Sequence, residues 1–574
     1  MNDLQPTSEF RIKRGEKFRQ YMSHFSATEK FIFGGLFICA LTTMLILATQ
    51  VNKHFLIGVP AEGGELREGV VGLPRTINPV IAITDVDRDI DSLIYAGLTR
   101  YDEEKLVPDI AKSWEISEDG LNYTFNLRED VFFQDGTPLT ADDIAFTIQK
   151  IQDPDIKSPR RSDWANITAK VLTPQQIQFT LKQPYAPFLS NTTVGILPKH
   201  IWGSVSDEQF IFSQYNIEPI GAGPYKLSSV AHDNGGIPTE YHLTTWNKYY
   251  TKKPYLSAIT FHFFADEENA LAALDSGAID SLAAISPTEA ARLATNKAQS
   301  YTVTAAPLPR VFSVFFNQSQ APVLGDAIVR EALNMSVDRT TIVEKVLSGY
   351  GSPIQGPLPY KQATSSKDLE TAHIEKAQTL LEKNGWNKNA DGIYEKKSQK
   401  LAFDIFTADS PDLKKASDDI KASWTALGAS VGVKVFESGD LYQNVIRTRK
   451  YDALLFGEFI GKDRDLFAFW HSSQRNAPGL NVALYANSRA DKLLEQIRTT
   501  HEENARNALF NNLYTIIEDD IPAVFLYVPD FIYVIPKKLN GVNLGTVTLP
   551  SDRFNSISTW YVNTDSVWSI FTKI

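Results

Sequence analysis

The segment from Lys400 to Glu437 constrains the fold more than any other, because it predicts a complete strand, helix and strand. A short apolar run, KLAFDIF, comes first, and Ser410 and Pro411 then form a pair typical of a helix start. Gly428 ends the helical pattern before a second apolar run, SVGVKVFE. Such a strand–helix–strand crossover predicts an α/β protein in which helices cover sheets.

Other segments repeat this alternation. LNYTFNLRED has the period of two that a half-buried strand requires, with Leu121, Tyr123, Phe125 and Leu127 as its apolar positions. SAITFHFF predicts a strand, DEENALAALDSG a short helix that begins after Asp266 and ends at Gly277, and AIDSLAAI a further strand. At 574 residues the chain is too long for one hydrophobic core, so we expect two or three packed domains.

A second constraint is the run FIFGGLFICALTTMLILAT, from Phe31 to Thr49, which contains no charged residue. As a helix it spans roughly 28 Å, close to the thickness of a bilayer's hydrocarbon core. Basic residues cluster before it, whereas Lys53 is the only one soon after it. The positive-inside rule then leaves residues 1–30 in the cytoplasm, makes 31–49 an uncleaved signal anchor, and places everything after about Asn52 outside.

A cleaved signal peptide is the alternative interpretation of this run. Its basic region would be unusually long, and only Ile46-Leu47-Ala48 faintly resembles a cleavage site. Cys39 lacks the small preceding residue of a lipoprotein motif, so we do not expect lipidation there. As the only cysteine, it also excludes an intrachain disulfide and any multi-Cys metal site.

Several function classes find no support in the sequence. The net charge of -11, without a basic patch, argues against a nucleic-acid partner. GAGPY resembles a phosphate loop, but no Lys-Ser/Thr follows and Pro224 has no N–H, so a structural turn is favoured. The single histidines His200, His242 and His262 have no second ligand at metal-binding spacing. We therefore expect no metal, no cofactor and no enzyme, since no nucleophile or zinc motif is present either.

One long segment carries a family resemblance. LVPDIAKSWEISEDGLNYTFNLREDVFFQDGTPLTADDIAFTIQKIQDP resembles the signature region of family 5 of the extracytoplasmic solute-binding proteins, the peptide- and nickel-type proteins that serve ABC importers. Matching segments follow in order: YAPFLSNTTVGILPKHIW, PIGAGPYKL, WNKYY, VFFNQS with VREALNMSVDR, YGSPIQGPLP, and GLNVALYANSRADKLL. Together they span about residues 62–535, and their order is more specific than any single match.

The resemblance implies a bilobal periplasmic-binding-protein-like α/β fold with an inserted subdomain, preceded by one transmembrane helix. A linker at residues 50–61 would lead to lobe I, made of residues 62–80, 215–304 and 528–574, with 81–214 as the inserted subdomain and 305–527 as lobe II. Two crossings, near Pro307 and Tyr527, would form the hinge.

The resemblance also implies a function. The protein would be a monomeric, membrane-anchored receptor outside the cytoplasm that captures peptides by hinged closure and delivers them to the permease subunits of an ABC importer. Two alternatives stay open. The same fold could bind a non-peptide solute such as an oligosaccharide or a metal complex, or serve as a tethered sensor without transport.

Matching segments also suggest ligand-binding residues. These are Asn78, Tyr95, Tyr225, Phe316, Asn317, Glu458, Asp463, Trp470 and Tyr485. Peptide-binding members of the family usually hold the ligand's ammonium with an Asp about three residues before an Asp-Pro-Asp turn, which Asp463-Arg464-Asp465 resembles. That place falls here on Ile460 or Gly461, neither of which can pair with a cation.

Two interpretations of this segment follow. Glu458 substitutes as the ammonium anchor, or the natural ligand has no free N-terminus there. The competing structural interpretation is that Asp463 and Asp465 merely cap the helix that begins LFAFW, because Asp is a preferred N-cap residue.

Overall fold

The computed structural model describes residues 19, 21, 23–102, 105–359 and 373–568. They form two compact units, the first within residues 1–61 and 563–574 and the second in residues 62–562. Most of the predicted cytoplasmic segment, residues 1–18, lies outside the described residues.

The first unit contains a long apolar helix, Ala27–Phe55. Ser26 begins it with a capping box, in which its Oγ accepts from the Glu29 N–H and the Glu29 carboxylate accepts from the Ser26 N–H. Residues Ala27–Asn52 are long and apolar enough to cross a membrane. The helix is longer than the predicted 31–49 because it continues into polar residues at both ends.

A two-stranded ribbon follows this helix in the same unit. Strand Leu56–Ala61 pairs antiparallel with strand Asn563–Trp568, so the predicted linker 50–61 is helix and strand. The Trp568 ring stacks on Phe55 with 5.7 Å between centroids. Its indole Nε1 also donates to Asn52 Oδ1 at 2.7 Å. The two contacts fix the last described residue of the chain to the end of the apolar helix.

The second unit is built on a large mixed sheet that contains twelve strands across the described residues. In chain order they are Glu65–Val71, Tyr225–His232, Pro238–Thr245, Ala258–Phe264, Ser281–Ala283, Tyr301–Pro307, Arg310–Phe316, Gly351–Pro353, Ala402–Ala408, Ser430–Phe436, Ala453–Phe459 and Ala523–Pro536. A separate antiparallel sheet contains Ala111–Ile116, Asn122–Leu127, Ile167–Thr173 and Gln176–Leu181. The remaining strands are Thr99–Asp102, Lys105–Pro108, Asn387–Lys388, Tyr394–Lys396 and Gln399–Lys400.

Helices cover these sheets. The α-helices of the second unit are Asp85–Ile94, Ala141–Gln152, Phe188–Asn191, Lys199–Trp202, Asp207–Phe210, Glu267–Ser276, Pro287–Asn296, Ala327–Met335, Arg339–Leu347, Ile374–Lys383, Pro411–Leu427, Ser438–Asp440, Phe467–Trp470, Ser488–Thr499 and Glu503–Asp520. Short 3-10 helices occur at Gln214–Asn216, Pro322–Gly325, Ser472–Gln474 and Pro550–Thr559, and a π-helical turn at Leu441–Ile446.

The predicted crossover is confirmed. Strands Ala402–Ala408 and Ser430–Phe436 pair in parallel, and helix Pro411–Leu427 joins them. Gly428 ends the helix at φ 115°, a conformation that favours glycine. Ser410 occupies the N-cap position, although its side chain makes no capping hydrogen bond.

The predicted strands and helix near residues 121–285 are also confirmed. Strand Asn122–Leu127 buries every second residue. Asp266 begins helix Glu267–Ser276 by accepting from the Asn269 N–H at 2.9 Å, and Gly277 ends it in the left-handed conformation. Strands Ala258–Phe264 and Ser281–Ala283 flank this helix and both pair with Glu65–Val71.

The long strand Ala523–Pro536 belongs to two halves of the large sheet. Its first part pairs with Arg310–Phe316, whereas its residues from Asp530 onward pair with Tyr301–Pro307. The hydrophobic cores change at the same places: Ala306 and Phe531 belong to one cluster, and Val311 and Val528 to another. These changes lie near the predicted crossings at Pro307 and Tyr527, while the assignment of the lobes stays a prediction.

A fully buried ion cluster ties the first half of the sheet together. The Arg553 guanidinium donates to Asp89 Oδ1 and Oδ2 at 2.8 and 2.6 Å and to Glu68 Oε1 at 3.1 Å. Ser281 Oγ and the Tyr533 hydroxyl both donate to the other Glu68 oxygen. The cluster joins three strands of the sheet to helix Asp85–Ile94 and to the 3-10 helix Pro550–Thr559.

Candidate functional site

A cavity of about 300 Å³ lies in the second unit, where helix Asp85–Ile94 meets the 3-10 helix Pro550–Thr559. Its size falls at the small end of the range for ligand pockets in proteins. The lining mixes aromatic and charged side chains, including Arg88, Asp91, Tyr95, Arg100, Tyr101, Asp109, Arg160, Tyr249, Lys252 and Asp552. Charged groups of both signs around a small cavity are suited to a small polar solute.

GAGPY packs directly against one wall of this cavity. The Gly223 N–H donates to the Ile94 carbonyl at 2.7 Å. A Cβ on Gly221 would lie 2.1 Å from the same carbonyl oxygen, so only glycine permits this approach. Tyr95 and Pro224 lie beside these contacts and line the cavity. The segment GAGPY, residues 221–225, is therefore a structural turn that shapes the site.

Two polar groups of the cavity wall have hydrogen-bond partners within the protein. The Asp109 carboxylate accepts from the Tyr250 hydroxyl at 2.7 Å, and burial raises the pKa of Asp109 to about 6. The Tyr101 hydroxyl shares a hydrogen bond of 2.8 Å with Ser190 Oγ. These groups fix the shape of the wall.

The segment that contains Asp463 contacts the cavity wall from the predicted lobe II. Lys462 Nζ lies 3.1 Å from Asp552 Oδ1 and 4.2 Å from the centre of the Tyr101 ring. Farther along the same side, the Ala186 N–H donates to the Arg498 carbonyl at 2.8 Å. The two halves of the second unit therefore touch beside the cavity.

Glu458 lies near the end of strand Ala453–Phe459 and is 3% exposed. Among the described residues, neither of its carboxylate oxygens has a hydrogen-bond partner, and the same is true of Ser313 Oγ and Trp470 Nε1. Burial raises the pKa of Glu458 well above its ordinary value, and the nearby Trp470 indole only partly offsets this effect. An unpaired buried carboxyl is costly and stands out as a candidate functional group.

The two aspartates after this strand have different roles. Asp465 accepts from the Phe467 N–H at 3.1 Å and forms an ion pair of 2.6 Å with Arg498. The predicted capping role therefore fits Asp465, although the helix Phe467–Trp470 is only one turn long. Burial, together with the charge of Asp465, raises the pKa of Asp463 to about 6.

Most other predicted site residues already have partners inside the protein. Asn78 Nδ2 donates to Asn216 Oδ1, the Tyr225 hydroxyl to the Leu256 carbonyl, Asn317 Nδ2 to the Arg449 carbonyl, and the Tyr485 hydroxyl to Asp520. Phe316 and Trp470 are fully buried against other aromatic rings. Of the predicted set, Tyr95 lines the cavity, and a ligand-binding role stays a prediction for every member of the set.

Sequence reasoning missed the charged residues of the cavity, above all Asp91 and Arg160. One signal was available for Asp91. In DVDRDIDSLI it falls one helical turn before Tyr95 and one residue after Ile90, so it lies beside the apolar stripe of the helix. No comparable pattern distinguished Arg160 from its neighbour Arg161.

No group of three His, Cys, Asp or Glu side chains in the described part of the chain could hold a metal ion.

Glu458 should make the folding stability depend on pH. The pKa of Glu458 is higher in the folded state than its ordinary value of 4.5. The contribution of Glu458 to the free energy of unfolding is therefore fully present below about pH 4.5 and is lost as the pH rises toward the folded-state pKa. Glu458→Gln removes this loss, so its thermal midpoint should exceed that of the unmutated protein at pH 8 but not at pH 4. The difference in stability should grow by at most about 1.4 kcal/mol per pH unit.

The control for this experiment is Glu331→Gln, an exposed glutamate in the helix Ala327–Met335. Thermal midpoints followed by circular dichroism from pH 4 to 8 provide the measurement. Parallel pH profiles for Glu458→Gln and the unmutated protein would show that Glu458 ionises normally.

Comparison with known proteins now defines the class. Residues 105–478 match the model of the bacterial extracellular solute-binding proteins, family 5, and the chain belongs to this family. The oligopeptide-binding protein AppA of Bacillus subtilis is 28% identical over 499 residues, which cover 84% of this chain and 90% of AppA. Members of the family are solute-binding proteins of ABC importers and not enzymes.

Solved structures agree with this assignment. NikZ from Campylobacter jejuni, in complex with Ni(L-His), has a TM-score of 0.66 and 27% identity, over 87% of this chain and 99% of NikZ. AppA of Bacillus subtilis, in complex with a nonapeptide, has a TM-score of 0.65 and 26% identity, over 88% of this chain and all of AppA. The predicted family and the predicted α/β fold class are confirmed.

Proposed function

We propose that this protein is a membrane-anchored receptor that captures peptides, or solutes resembling them, by hinged closure and delivers them to an ABC importer. The helix Ala27–Phe55 would hold it in the cell membrane with the second unit outside the cytoplasm. The observation that carries the proposal is the strand Ala523–Pro536, which serves both halves of the sheet and changes partners at one place.

The proposed hinge rests on this strand and on the connection between Pro307 and Arg310. Two adjacent crossings let the halves rotate with little change in either core. Contacts such as Lys462 with Asp552, and the Ala186 N–H with the Arg498 carbonyl, exist only when the halves are together. A ligand that binds both halves shifts the population toward the closed form by its difference in affinity for the two states.

Two observations support a peptide-like ligand. The relative AppA is an oligopeptide-binding protein, and its solved structure holds a nonapeptide. The cavity beside helix Asp85–Ile94 presents acids, bases and aromatic rings, which suit a molecule with charged ends and varied side chains. Because NikZ holds Ni(L-His), a metal complex of an amino acid is the second candidate ligand.

Closure predicts a change of shape on ligand binding. A peptide mixture should reduce the radius of gyration of the second unit in small-angle scattering and raise its melting temperature with concentration. Lys462→Met should weaken both effects because it removes the contact with Asp552. Lys414→Met, which removes only an exposed pair with Asp409, is the matched control.

An unchanged radius alongside measurable binding would contradict hinged closure. A tethered sensor would bind and close in the same way, so transport needs its own test. Co-purification with permease subunits from membranes separates the two functions, and its absence in the presence of ligand would favour the sensor.

A further inference from the structure

We propose that the side chains of Ile211, Phe212 and Ile217 form a docking tip that binds an apolar pocket with a basic rim on the permease subunits of the importer. The three side chains are 53%, 85% and 45% exposed. This inference rests on the proposed function, to which it adds the surface that contacts the importer.

The docking tip is an apolar cluster on the surface of the second unit. Phe212 has the largest exposed fraction of any large apolar side chain in the described part of that unit. Asn216 Nδ2 donates to the Phe210 carbonyl at 2.8 Å, so Ile211 and Ile217, which follow these two residues, lie close together. Single exposed apolar residues are common on proteins, but a group that includes an aromatic ring marks an interaction site.

The backbone of the docking tip is fixed on both sides. Before it, the buried Phe210 ring packs 4.6 Å from the Trp202 ring, measured between centroids. After it, the Tyr215 ring lies 5.8 Å from the same Trp202 ring, and the Asn78 amide donates to Asn216 Oδ1 at 3.0 Å. An aromatic side chain on a fixed backbone loses little conformational entropy when it binds a partner.

The docking tip lies beside the wall of the candidate site. The Ile77 N–H donates to the Asn216 carbonyl at 2.8 Å, and the Asn78 side chain bonds to the Asn216 side chain. The next residue, Pro79, lines the cavity. A protein that receives the captured solute must bind near the place where the solute is held, and the permease subunits meet this requirement at the docking tip.

The charge around the docking tip indicates the chemistry of the partner. Residues 201–225 contain no Lys, Arg or His and three acids, Asp207, Glu208 and Glu218. Asp207 pairs with Lys150, whereas the exposed Glu208 and Glu218 form no ion pair in the part of the chain that the structure describes. Lipid phosphates would repel these acids, and basic side chains would attract them. We therefore expect a protein pocket and not a lipid surface.

Site-specific photocrosslinking of the full chain, in the cells that produce it, tests the docking tip. Phe212→benzoylphenylalanine should form an adduct with a permease subunit, which mass spectrometry identifies. The control is Leu172→benzoylphenylalanine, because Leu172 is exposed on strand Ile167–Thr173 of the same predicted subdomain. We expect at least tenfold less of this adduct from the control position.

A transport measurement separates docking from solute binding. Phe212→Ser should reduce the uptake of an isotope-labelled peptide mixture at least tenfold, whereas Leu172→Ser should not. The same mixture should compact purified Phe212→Ser and raise its melting temperature as it does for the unmutated protein, because the docking tip does not hold the solute.

A charge reversal tests the basic rim of the partner. Glu208→Lys with Glu218→Lys should reduce the permease adduct at Phe212 at least tenfold, since like charges would then meet. Glu115→Lys with Glu118→Lys makes the same change in net charge at exposed positions of the same predicted subdomain and should leave the adduct unchanged. Contact with lipid would instead grow stronger in the first variant.

Three results would overturn the proposal. An adduct with lipid alone, or with a second copy of this chain alone, identifies a different occupant of the docking tip. Unchanged uptake in Phe212→Ser excludes docking through this tip. Absence of an adduct, while deletion of the whole protein still abolishes uptake, rejects the docking tip but leaves the proposed function standing. Uptake that survives the deletion, together with no compaction by peptides, rejects both.

Discussion

Replacing Arg553 with methionine is expected to destabilise the second unit by about 3–5 kcal/mol, the usual effect of removing one partner from a buried ion pair. Arg553 is fully buried and holds two carboxylates, Asp89 and Glu68. Burial alone would lower the pKa of Arg553, but the charges of Asp89 and Glu68 raise it overall. Without the guanidinium, both acids would lie in an apolar interior with no counter-charge.

The matched control is Arg292→Met, because Arg292 pairs with Glu289 on a partly exposed helix surface. We expect a loss of less than about 1 kcal/mol there. Urea denaturation of the second unit measures both variants, with tryptophan fluorescence and circular dichroism as independent probes of the transition. Equal destabilisation by the two substitutions would show that the buried cluster contributes no more than a surface pair.

Removing residues 1–55 is expected to move the protein from the membrane fraction to the soluble fraction. Residues Phe31–Thr49 carry no charge and none of them is buried, so their side chains are available to lipid. The full chain should resist extraction by high salt and by alkaline carbonate. Its intact mass should include the residues before Ala27, because an anchor of this kind is not cleaved.

A point variant provides a stricter test of the same anchor. Leu41→Arg with Leu45→Arg places two charges in the middle of the helix, each costing about 2.5–3.5 kcal/mol in a bilayer. This variant should lose membrane association, whereas Leu41→Ile with Leu45→Ile should keep it. An intact mass that begins near Thr49 or Gln50 in the unmutated protein would instead show a cleaved signal peptide.

Local signals made much of the fold predictable. In the crossover Ala402–Phe436, the caps, the helical spacing and the alternating strands all indicate the same structure. The partners of strands far apart in the chain were not predictable from such signals. Leu56–Ala61 and Asn563–Trp568 lie about five hundred residues apart, and no short-range pattern specifies their register.

The site was harder to predict, for a physical reason. Charged residues usually face solvent, so nothing in the sequence marked Arg553 as buried. Glu458 could be singled out because it occupies an apolar strand beside a recognisable turn. The sequence reveals an acid in an apolar segment, but not which distant base or cavity the fold places beside it.

The ribbon of Leu56–Ala61 and Asn563–Trp568 gives the chain a paired segment directly after the apolar helix, where a single strand could have served as a flexible linker. An unpaired linker of six residues would be flexible. Six paired residues instead form a stiff spacer of roughly 20 Å. On the proposed anchoring, Trp568 beside Asn52 also brings the C-terminal strand down to the membrane surface.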